Sequence, residues 1–598
     1  MTSISGEPIP AITEATLTDI ATNGIWGDGL IPSASVVGVA EALLAALRGE
    51  SGVQLPPALA ELVGEVREKA VTELSGIEGA GGVRLSGLAI KLRDGNPHPV
   101  VIVPAGWNPY GWLPFLYLYL TLARKGYHVL AYTPRGIGIK GWVSTSQGFI
   151  DVGGKKDWAD GEKVIDFAER HFGPGKVGFL GESYGSGISQ LVAAHDEKAR
   201  VSAVVALSTW GNLATSLYDN GTRHVKAVEA LIAFTGGPRE EKFDQETLDV
   251  LDDFAAGRNL DKVVAWGTER SPQTYVDRTN ERGIPTFISN TWHETLFPVA
   301  PVIDTFTALT VPKHLNLWIG DHGAPEGPGL AGLVPGIPFP GLAVPIQEAF
   351  AWLDHHLLGQ DNDVPGWPQV VNQSMFTYET TGTIIGTKRI TVPARRESYA
   401  SWDEVTTDGE TWHLTGEGEL TDKPATGWSR EFLAGSLTEA DAGELLKTGQ
   451  KEWFGNPKPY DRATFDPSRL LVWETDALTG SGAVARRIRG AATVRLTVRS
   501  TTDTAVLVAY LYDVAPDGSA RIITHEPYTA DNLTPDTDAA VSWRLQPTSY
   551  DLSAGHRLAL VVNSRDPLYS TANAVTVVTT TTVSSPNDGE AVLELPLG

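Results

Sequence analysis

The sequence predicts an α/β protein: a helical segment, then a mostly parallel sheet with an inserted helical cap, then an all-β domain. Three observations predict this order. Apolar runs alternate with amphipathic stretches after residue 82, a long helical interval separates two of these runs, and alternating Thr- and Val-rich runs begin near residue 370. The expected domains are therefore 1–80, 81–369 with a cap at about 210–283, and 370–598.

The N-terminal segment is predicted to be helical. Residues 34–48 and 57–74 have apolar side chains at spacings of three and four. The segment carries no evident chemistry. Its pattern leaves open whether these helices cover the functional site or form a subunit contact, so a homo-oligomer is possible.

Six short apolar runs predict the strands of the parallel sheet. They are rich in Val, Ile and Leu with little polar alternation, which is typical of strands buried on both faces. Helical stretches of crossover length lie between them at 115–125, 156–172 and 186–195, and a last helix is expected at 344–358. The interval 209–283 has helix-like pieces but no convincing strand, which predicts the cap. The apolar runs cover residues 99–104, 128–132, 176–180, 201–207, 285–289 and 314–319.

The C-terminal region is predicted to be an antiparallel sandwich or jelly roll. Helical periodicity disappears after residue 370, and alternating runs recur between turn signals such as Pro516-Asp517-Gly518. These runs cover 492–498, 505–512 and 557–562, with a further strand expected at 575–585.

The composition limits the partners of this chain. Its 598 residues carry 47 basic and 72 acidic side chains, a net charge of −25, and no cysteine. This charge repels a phosphate backbone, so nucleic acid is not an expected partner. Disulfides and cysteine nucleophiles are excluded, which fits a reducing compartment. Without a basic leader or an apolar run of membrane-spanning length, we expect a cytoplasmic protein that does not bind membranes.

The pentapeptide Gly181-Glu182-Ser183-Tyr184-Gly185 predicts a nucleophile elbow. It follows one predicted strand directly and precedes a predicted helix, which is the strand, sharp turn and helix that such an elbow requires. The flanking glycines are needed because the strained turn brings neighbouring backbone very close. The expected fold is therefore the α/β-hydrolase fold, with Ser183 as the nucleophile.

The other members of a catalytic triad are expected later in the chain. A serine hydroxyl needs an imidazole to take its proton, and in this fold an acid and then a histidine follow the serine. His322 lies just past the run 314–319 and is the predicted base. Glu294, the first carboxylate after the run 285–289, is the predicted acid, with Asp304 as the alternative.

These residues resemble the family that contains X-Pro dipeptidyl-peptidases, bacterial cocaine esterase and α-amino acid ester hydrolases. The likeness runs from about residue 82 to the C-terminus. Gly181-Glu182-Ser183-Tyr184 is similar to the family's Gly-x-Ser-Tyr elbow, and Glu294 falls where the family has Asp in Trp-x-Asp. The resemblance implies a serine hydrolase with a C-terminal jelly-roll domain.

The same resemblance implies an oxyanion hole. Asn108-Pro109-Tyr110 is similar to the family's Pro-Tyr segment, whose tyrosine hydroxyl donates to the oxyanion together with the amide after the nucleophile. The implied donors are the Tyr110 hydroxyl and the backbone amide of Tyr184. Such donors stabilise charge that appears only in the tetrahedral state.

The expected function is hydrolysis of an ester or an amide/peptide bond through an acyl-enzyme on Ser183. The substrate would be a small molecule or a peptide, and neither a metal nor an organic cofactor is implied. An X-Pro peptidase needs acidic or carbonyl groups for a free N-terminus, and Glu229, Glu240 and Asp244 are cap candidates. The alternative is a catalytically inactive hydrolase fold that binds ligands through its β domain.

Overall fold

The computed structural model describes residue 13 and residues 33–331, 344–384, 387–480, 482–569, 579–586 and 591–598. The first four residues of the strand predicted at 575–585 lie outside these ranges, and Thr579–Ser585 is a strand. In the described ranges, no helix combines the length and apolarity needed to cross a bilayer.

A ten-stranded sheet forms the centre of the first part of the chain. Seven neighbouring strands of this sheet run parallel to one another; counted across the sheet, the first is His128–Tyr132 and the last is Val370–Gln373. Antiparallel strands flank these seven at both edges. All six predicted strands are present within two residues of their expected bounds, and the predicted fold class is confirmed. In spatial order the strands are Ala70–Glu78, Arg84–Leu92, His128–Tyr132, Val100–Pro104, Val177–Glu182, Val201–Leu207, Thr286–Thr291, Lys313–Trp318, Val370–Gln373 and Arg396–Tyr399.

Helices cover both faces of this sheet. The N-terminal helix Ala34–Leu47 is apolar on nearly every side and is buried against the turn Leu113–Phe115 and the helix Leu116–Lys125. Lys155–Phe172 and Tyr184–His195 cover the opposite face. Further helical elements are Val299–Ala308, Gly327–Ala331, the π-helical turn Asp354–Leu358, and the 3₁₀ turns Ala80–Gly82, Leu113–Phe115 and Val364–Gly366.

The helix predicted at 57–74 is shorter than expected. It spans Pro57–Lys69, and the chain then enters the strand Ala70–Glu78, which pairs antiparallel with Arg84–Leu92 along its whole length. Hydrogen bonds from the neighbouring strand outweigh the local helical spacing. The large sheet therefore begins inside the segment that the sequence predicts to be only helical.

The cap is inserted between the strands Val201–Leu207 and Thr286–Thr291, as the sequence predicts. It is mainly helical, and it also contains a small hairpin in which Tyr218–Asp219 pairs with Thr222–Arg223. The cap helices are Leu213–Leu217, Val225–Ala233, Arg239–Lys242, Gln245–Ala256, Leu260–Glu269 and Val276–Glu281, with a 3₁₀ turn at Pro272–Tyr275.

The C-terminal domain consists of two antiparallel sheets whose apolar faces pack together. One sheet contains Asp408–Leu414, Leu420–Thr421, Trp428–Ala434, Val484–Gly490, Thr493–Ser500, Ala539–Arg544, Thr548–Ser553, Thr579–Ser585 and Val592–Leu597. The other contains Tyr460–Asp461, Leu471–Glu474, Ala505–Val514, Ser519–Ala530 and Arg557–Asn563. Smaller elements are the hairpin Glu379–Ile384/Thr387–Val392, the helix Thr448–Trp453, and the 3₁₀ turns Trp402–Glu404 and Arg462–Thr464.

Candidate active site

Ser183 occupies a sharp turn between a strand and a helix. It has φ 55° and ψ −122° and separates Val177–Glu182 from Tyr184–His195. A Cβ added to Gly181 would lie 2.1 Å from the Gly185 carbonyl oxygen, and one added to Gly185 would lie 2.1 Å from that of Pro104. Glycine is therefore required at both positions, and the turn presents Ser183 at the carboxyl edge of the sheet.

The three predicted triad residues form a chain of hydrogen bonds. His322 Nε2 lies 2.7 Å from Ser183 Oγ, and His322 Nδ1 lies 3.0 Å from Glu294 Oε2. All three side chains are buried. This is the arrangement of nucleophile, base and orienting acid that acyl transfer requires.

Neighbouring strands bring Glu294 and His322 together. Glu294 follows Thr286–Thr291, His322 follows Lys313–Trp318, and these strands pair in parallel so that their carboxyl ends meet. Glu294 Oε1 accepts hydrogen bonds from the two amides of Leu296 and Phe297, at 3.0 and 3.2 Å. These bonds hold the other carboxylate oxygen toward the imidazole.

The neighbouring aspartates do not contact the imidazole nitrogens. Asp304 is exposed on the helix Val299–Ala308. Asp321 is buried, and its Oδ1 accepts the backbone amides of His322 and Thr295 at 2.8 and 2.9 Å. Asp321 therefore positions the histidine loop, while Glu294 is the carboxylate that meets the ring.

The site stabilises the protonated form of His322. Burial alone lowers the pKa of the imidazole, but the charge and hydrogen bond of Glu294, together with the charges of Glu182 and Asp321, raise that pKa to about 9. An imidazolium forms transiently when a histidine takes the proton of a serine. The surrounding carboxyl groups favour that state.

A buried carboxyl group that sequence reasoning missed supports the histidine loop. Glu326 accepts hydrogen bonds from Ser289 Oγ and, at 3.0 Å, from Ser208 Oγ. Ser208 Oγ in turn accepts the Gly323 amide at 3.0 Å. The sequence signal for this network was weak: Ser208 directly follows the buried strand Val201–Leu207, and Ser289 lies within the buried strand Thr286–Thr291.

The two residues predicted for the oxyanion hole lie in different surroundings. Tyr184 is the first residue of its helix, so its amide has no partner within the helix and lies at the positive end of the helix dipole. The half-buried Tyr110 ring packs against Trp142 with 5.0 Å between centroids and belongs to the cluster around the N-terminal helices. Tyr110 does not line the cavity beside Ser183.

Trp107 lies beside Ser183. It lines the same cavity as Ser183, and its indole Nε1 donates to the Leu231 carbonyl of the cap at 2.8 Å. A Cβ added to the preceding Gly106 would lie 3.7 Å from Ser183 Cβ, so this backbone passes next to the serine. Sequence reasoning missed Trp107, because a Gly-Trp pair after a strand carries no specific signal.

A cavity opens from Ser183 under the cap. Aliphatic and aromatic side chains dominate its lining, and no charged residue is among the lining residues that the structure describes. The cap carboxylates predicted for an N-terminus lie elsewhere. Glu229 pairs with Lys226, Asp244 caps a helix and pairs with Lys156, and Glu240 is exposed.

The two main parts of the chain match known family models. Residues 81–324 match the X-Pro dipeptidyl-peptidase (S15 family), and residues 362–592 match the X-Pro dipeptidyl-peptidase C-terminal non-catalytic domain. No curated protein matches this chain by sequence.

Three solved structures share the fold over most of the chain. An aminopeptidase from a marine sediment Thaumarchaeota archaeon is 14% identical with a TM-score of 0.66, covering 89% of this chain and 96% of its own. An α-amino acid ester hydrolase is 15% identical with a TM-score of 0.66, covering 89% and 97%. A CocE/NonD family hydrolase from Staphylococcus aureus is 12% identical with a TM-score of 0.64, covering 88% and 94%.

Proposed function

Because this chain belongs to the X-Pro dipeptidyl-peptidase (S15) family of serine hydrolases, which act on esters or peptides, we propose that it hydrolyses carboxylic esters through an acyl-enzyme on Ser183. The observation that carries the proposal is the hydrogen-bonded chain from Ser183 through His322 to Glu294. Glu294 takes the role of the triad acid because its carboxylate meets the imidazole and that of Asp304 does not.

The reaction proceeds by two acyl transfers. His322 Nε2 takes the proton of Ser183 Oγ as this oxygen attacks the ester carbonyl, and the imidazolium then protonates the departing alcohol oxygen as the C–O bond breaks. Water attacks the acyl-enzyme by the same route, returns the proton to Ser183 and releases the acid. Glu294 accepts the hydrogen bond from His322 Nδ1–H and so holds this tautomer of the imidazole.

Two backbone amides are suited to hold the oxyanion. The Tyr184 amide has no helix partner, and the Trp107 amide donates no hydrogen bond to any part of the chain that the structure describes. Both residues border the cavity at Ser183. We therefore assign these amides to the oxyanion hole, and the Tyr110 hydroxyl stays the donor that the family resemblance predicts.

An X-Pro dipeptidyl-peptidase activity is the second candidate, because both family models carry that description. Such an enzyme must bind a free substrate ammonium in a low-dielectric site, which requires a carboxylate or carbonyl partner. No acidic side chain lines the cavity within the described ranges. This favours an ester over a dipeptide with a free N-terminus.

The test compares wild type with Ser183→Ala on p-nitrophenyl acetate and on an Ala-Pro anilide. We expect a fluorophosphonate probe to label the wild type at Ser183, and Ser183→Ala to lose labelling and at least about 10⁴-fold in kcat. Ser189→Ala is the matched control, because this buried hydroxyl donates to the Gly185 carbonyl of its own helix and to no other group in the described part of the chain.

Three outcomes would contradict the proposal. Turnover that persists in Ser183→Ala would remove Ser183 as the nucleophile. A higher kcat/KM for the anilide than for the ester would favour the peptidase. A wild type that binds ligands but resists the probe would indicate the inactive fold.

A further inference from the structure

Three aromatic residues that line the cavity beside Ser183 have their polar atoms in hydrogen bonds to other groups. Trp210 Nε1 donates to the Arg270 carbonyl at 3.1 Å, and the Tyr184 hydroxyl donates to Asp157 Oδ2 at 2.6 Å. The indole of Trp107 is likewise bonded to a cap carbonyl. With these groups already paired, the rings offer their apolar surfaces to a ligand.

The position of His322 decides which half of an ester enters this cavity. The imidazole must protonate the departing oxygen, so the alcohol half of the substrate lies on its side of Ser183. His322 is not a lining residue of the cavity, although Phe297, whose ring centroid lies 5.3 Å from that of the imidazole, is one. The cavity extends from Ser183 and Tyr184 under the cap helices Val225–Ala233 and Gln245–Ala256, and the acyl half is the part of the substrate assigned to it.

We propose that this cavity is an acyl site for uncharged aliphatic or aromatic acyl groups of medium length. The inference rests on the proposed function and names its substrate class. The lining reaches from Ser183 to Phe254 and Val263 of the cap, which provides apolar surface for an acyl group longer than acetyl. A charged acyl group is excluded because its burial without a partner is costly.

The first experiment measures kcat/KM of the wild type on two ester series. One series lengthens the acyl group from p-nitrophenyl acetate to octanoate, and the other lengthens the alcohol of alkyl acetates. Each buried methylene is expected to raise kcat/KM about three- to fourfold in the acyl series. The alcohol series is expected to stay within about threefold.

Several results would overturn the acyl site. A flat acyl series, a rise confined to the alcohol series, or equal kcat/KM for octanoyl and 2-amino-octanoyl esters would each contradict it. If acetate is still hydrolysed and the probe still labels Ser183, such a result contradicts only the acyl site. If acetate is not hydrolysed and Ser183 is not labelled, the proposed function itself is contradicted.

A second experiment fills the cavity. Leu251 lines it and is only partly buried, so Leu251→Trp can place an indole inside. We expect the ratio of kcat/KM for octanoate to kcat/KM for acetate to fall at least about tenfold relative to wild type. Ala256→Trp is the control, because Ala256 is exposed on the same helix and outside the cavity.

Equal losses on both esters, in a Leu251→Trp protein that still reacts with the probe at the wild-type rate, would contradict the acyl site. If the Leu251→Trp variant does not fold, the two ester series measured on the wild type test the acyl site by themselves.

Discussion

The imidazole of His322 lies among three buried carboxyl groups rather than one. Glu294 bonds to it directly, while Glu182 and Asp321 act through their charge, and together they outweigh burial and raise its pKa to about 9. A general base works only when it is neutral, so activity is gained as the pH rises through this pKa. We therefore expect an acidic limb in kcat/KM well above the reference value of about 6.5 for histidine.

Removing the charge of Glu182 tests whether the surrounding carboxyl groups raise the pKa of His322. Burial raises the pKa of this carboxyl group to about 8, so it is ionised in the alkaline range where His322 titrates. Glu182→Gln removes a negative charge that favours the imidazolium, and the midpoint of the acidic limb should move to lower pH by at least about half a unit. The measurement is the pH profile of kcat/KM.

Glu281→Gln serves as the control for this profile, since Glu281 is exposed on a cap helix. A midpoint that does not move in Glu182→Gln would show that Glu182 has no electrostatic effect on the base.

At the scale of the element, the elbow depends on how closely three backbone segments approach. The end of the strand Val177–Glu182, the start of the helix Tyr184–His195 and the end of the strand Val100–Pro104 meet at Gly181 and Gly185. Such close contact leaves no room for a side chain, and it holds Ser183 in a φ/ψ region that other residues rarely adopt. The strained turn is held by the packing around it.

Gly185→Ala should disrupt this turn. Its Cβ would meet the Pro104 carbonyl oxygen at 2.1 Å, so the strand and helix must separate. We expect kcat/KM to fall at least about a hundredfold and the free energy of unfolding to fall by about 1–3 kcal/mol. Enzyme assays and urea unfolding measure the two effects.

Gly64→Ala is the matched glycine control. Gly64 lies in the helix Pro57–Lys69 with no atom within 4 Å of an added Cβ, so alanine should stabilise the protein by about 0.5–1 kcal/mol. A Gly185→Ala enzyme as active and stable as Gly64→Ala would contradict the close-packed elbow.

At the scale of the whole molecule, one buried guanidinium joins the two main parts. Arg489 of the β domain is fully buried and donates to Glu397 at 2.7 and 2.9 Å and to Asp551 at 2.7 Å. Glu397 belongs to Arg396–Tyr399, the edge strand of the large sheet. Burial alone raises the pKa of Glu397, but the bonds and charge of Arg489 hold this pKa well below its ordinary value.

Arg489→Met should destabilise the protein by about 3 kcal/mol at pH 7, because it leaves two carboxylates without this partner. The folded-state pKa of Glu397 is depressed, so its contribution is complete above the unfolded value of about 4.3 and is lost as the pH falls below it. The difference in the free energy of unfolding between wild type and Arg489→Met, measured with urea, should therefore become smaller below about pH 4.

Arg499→Met is the control, because Arg499 and Asp538 form an exposed pair within the β domain and should contribute at most about 1 kcal/mol. If the free energies of unfolding of Arg489→Met and wild type differ by the same amount at pH 7 and at pH 3.5, the ionised Glu397 carboxylate does not stabilise the protein as proposed.

The sequence by itself determined the parallel sheet, the inserted cap, the β domain and the elbow. Strands buried on both faces must be continuously apolar, and a turn without room for a Cβ must contain glycine, so both features appear in local patterns. The chain order of Ser183, Glu294 and His322 also follows from the elbow and the strands. These properties need only residues that are close in sequence.

Only the tertiary structure decided the surroundings of Ser183. Pairing with Arg84–Leu92 makes 70–78 a strand, the Tyr110 ring packs on Trp142, and Trp107 lies beside Ser183. The carboxylate that meets His322 and the apolar character of the cavity were settled in the same way. Each depends on distances between segments far apart in the chain, and local residue patterns do not encode such distances.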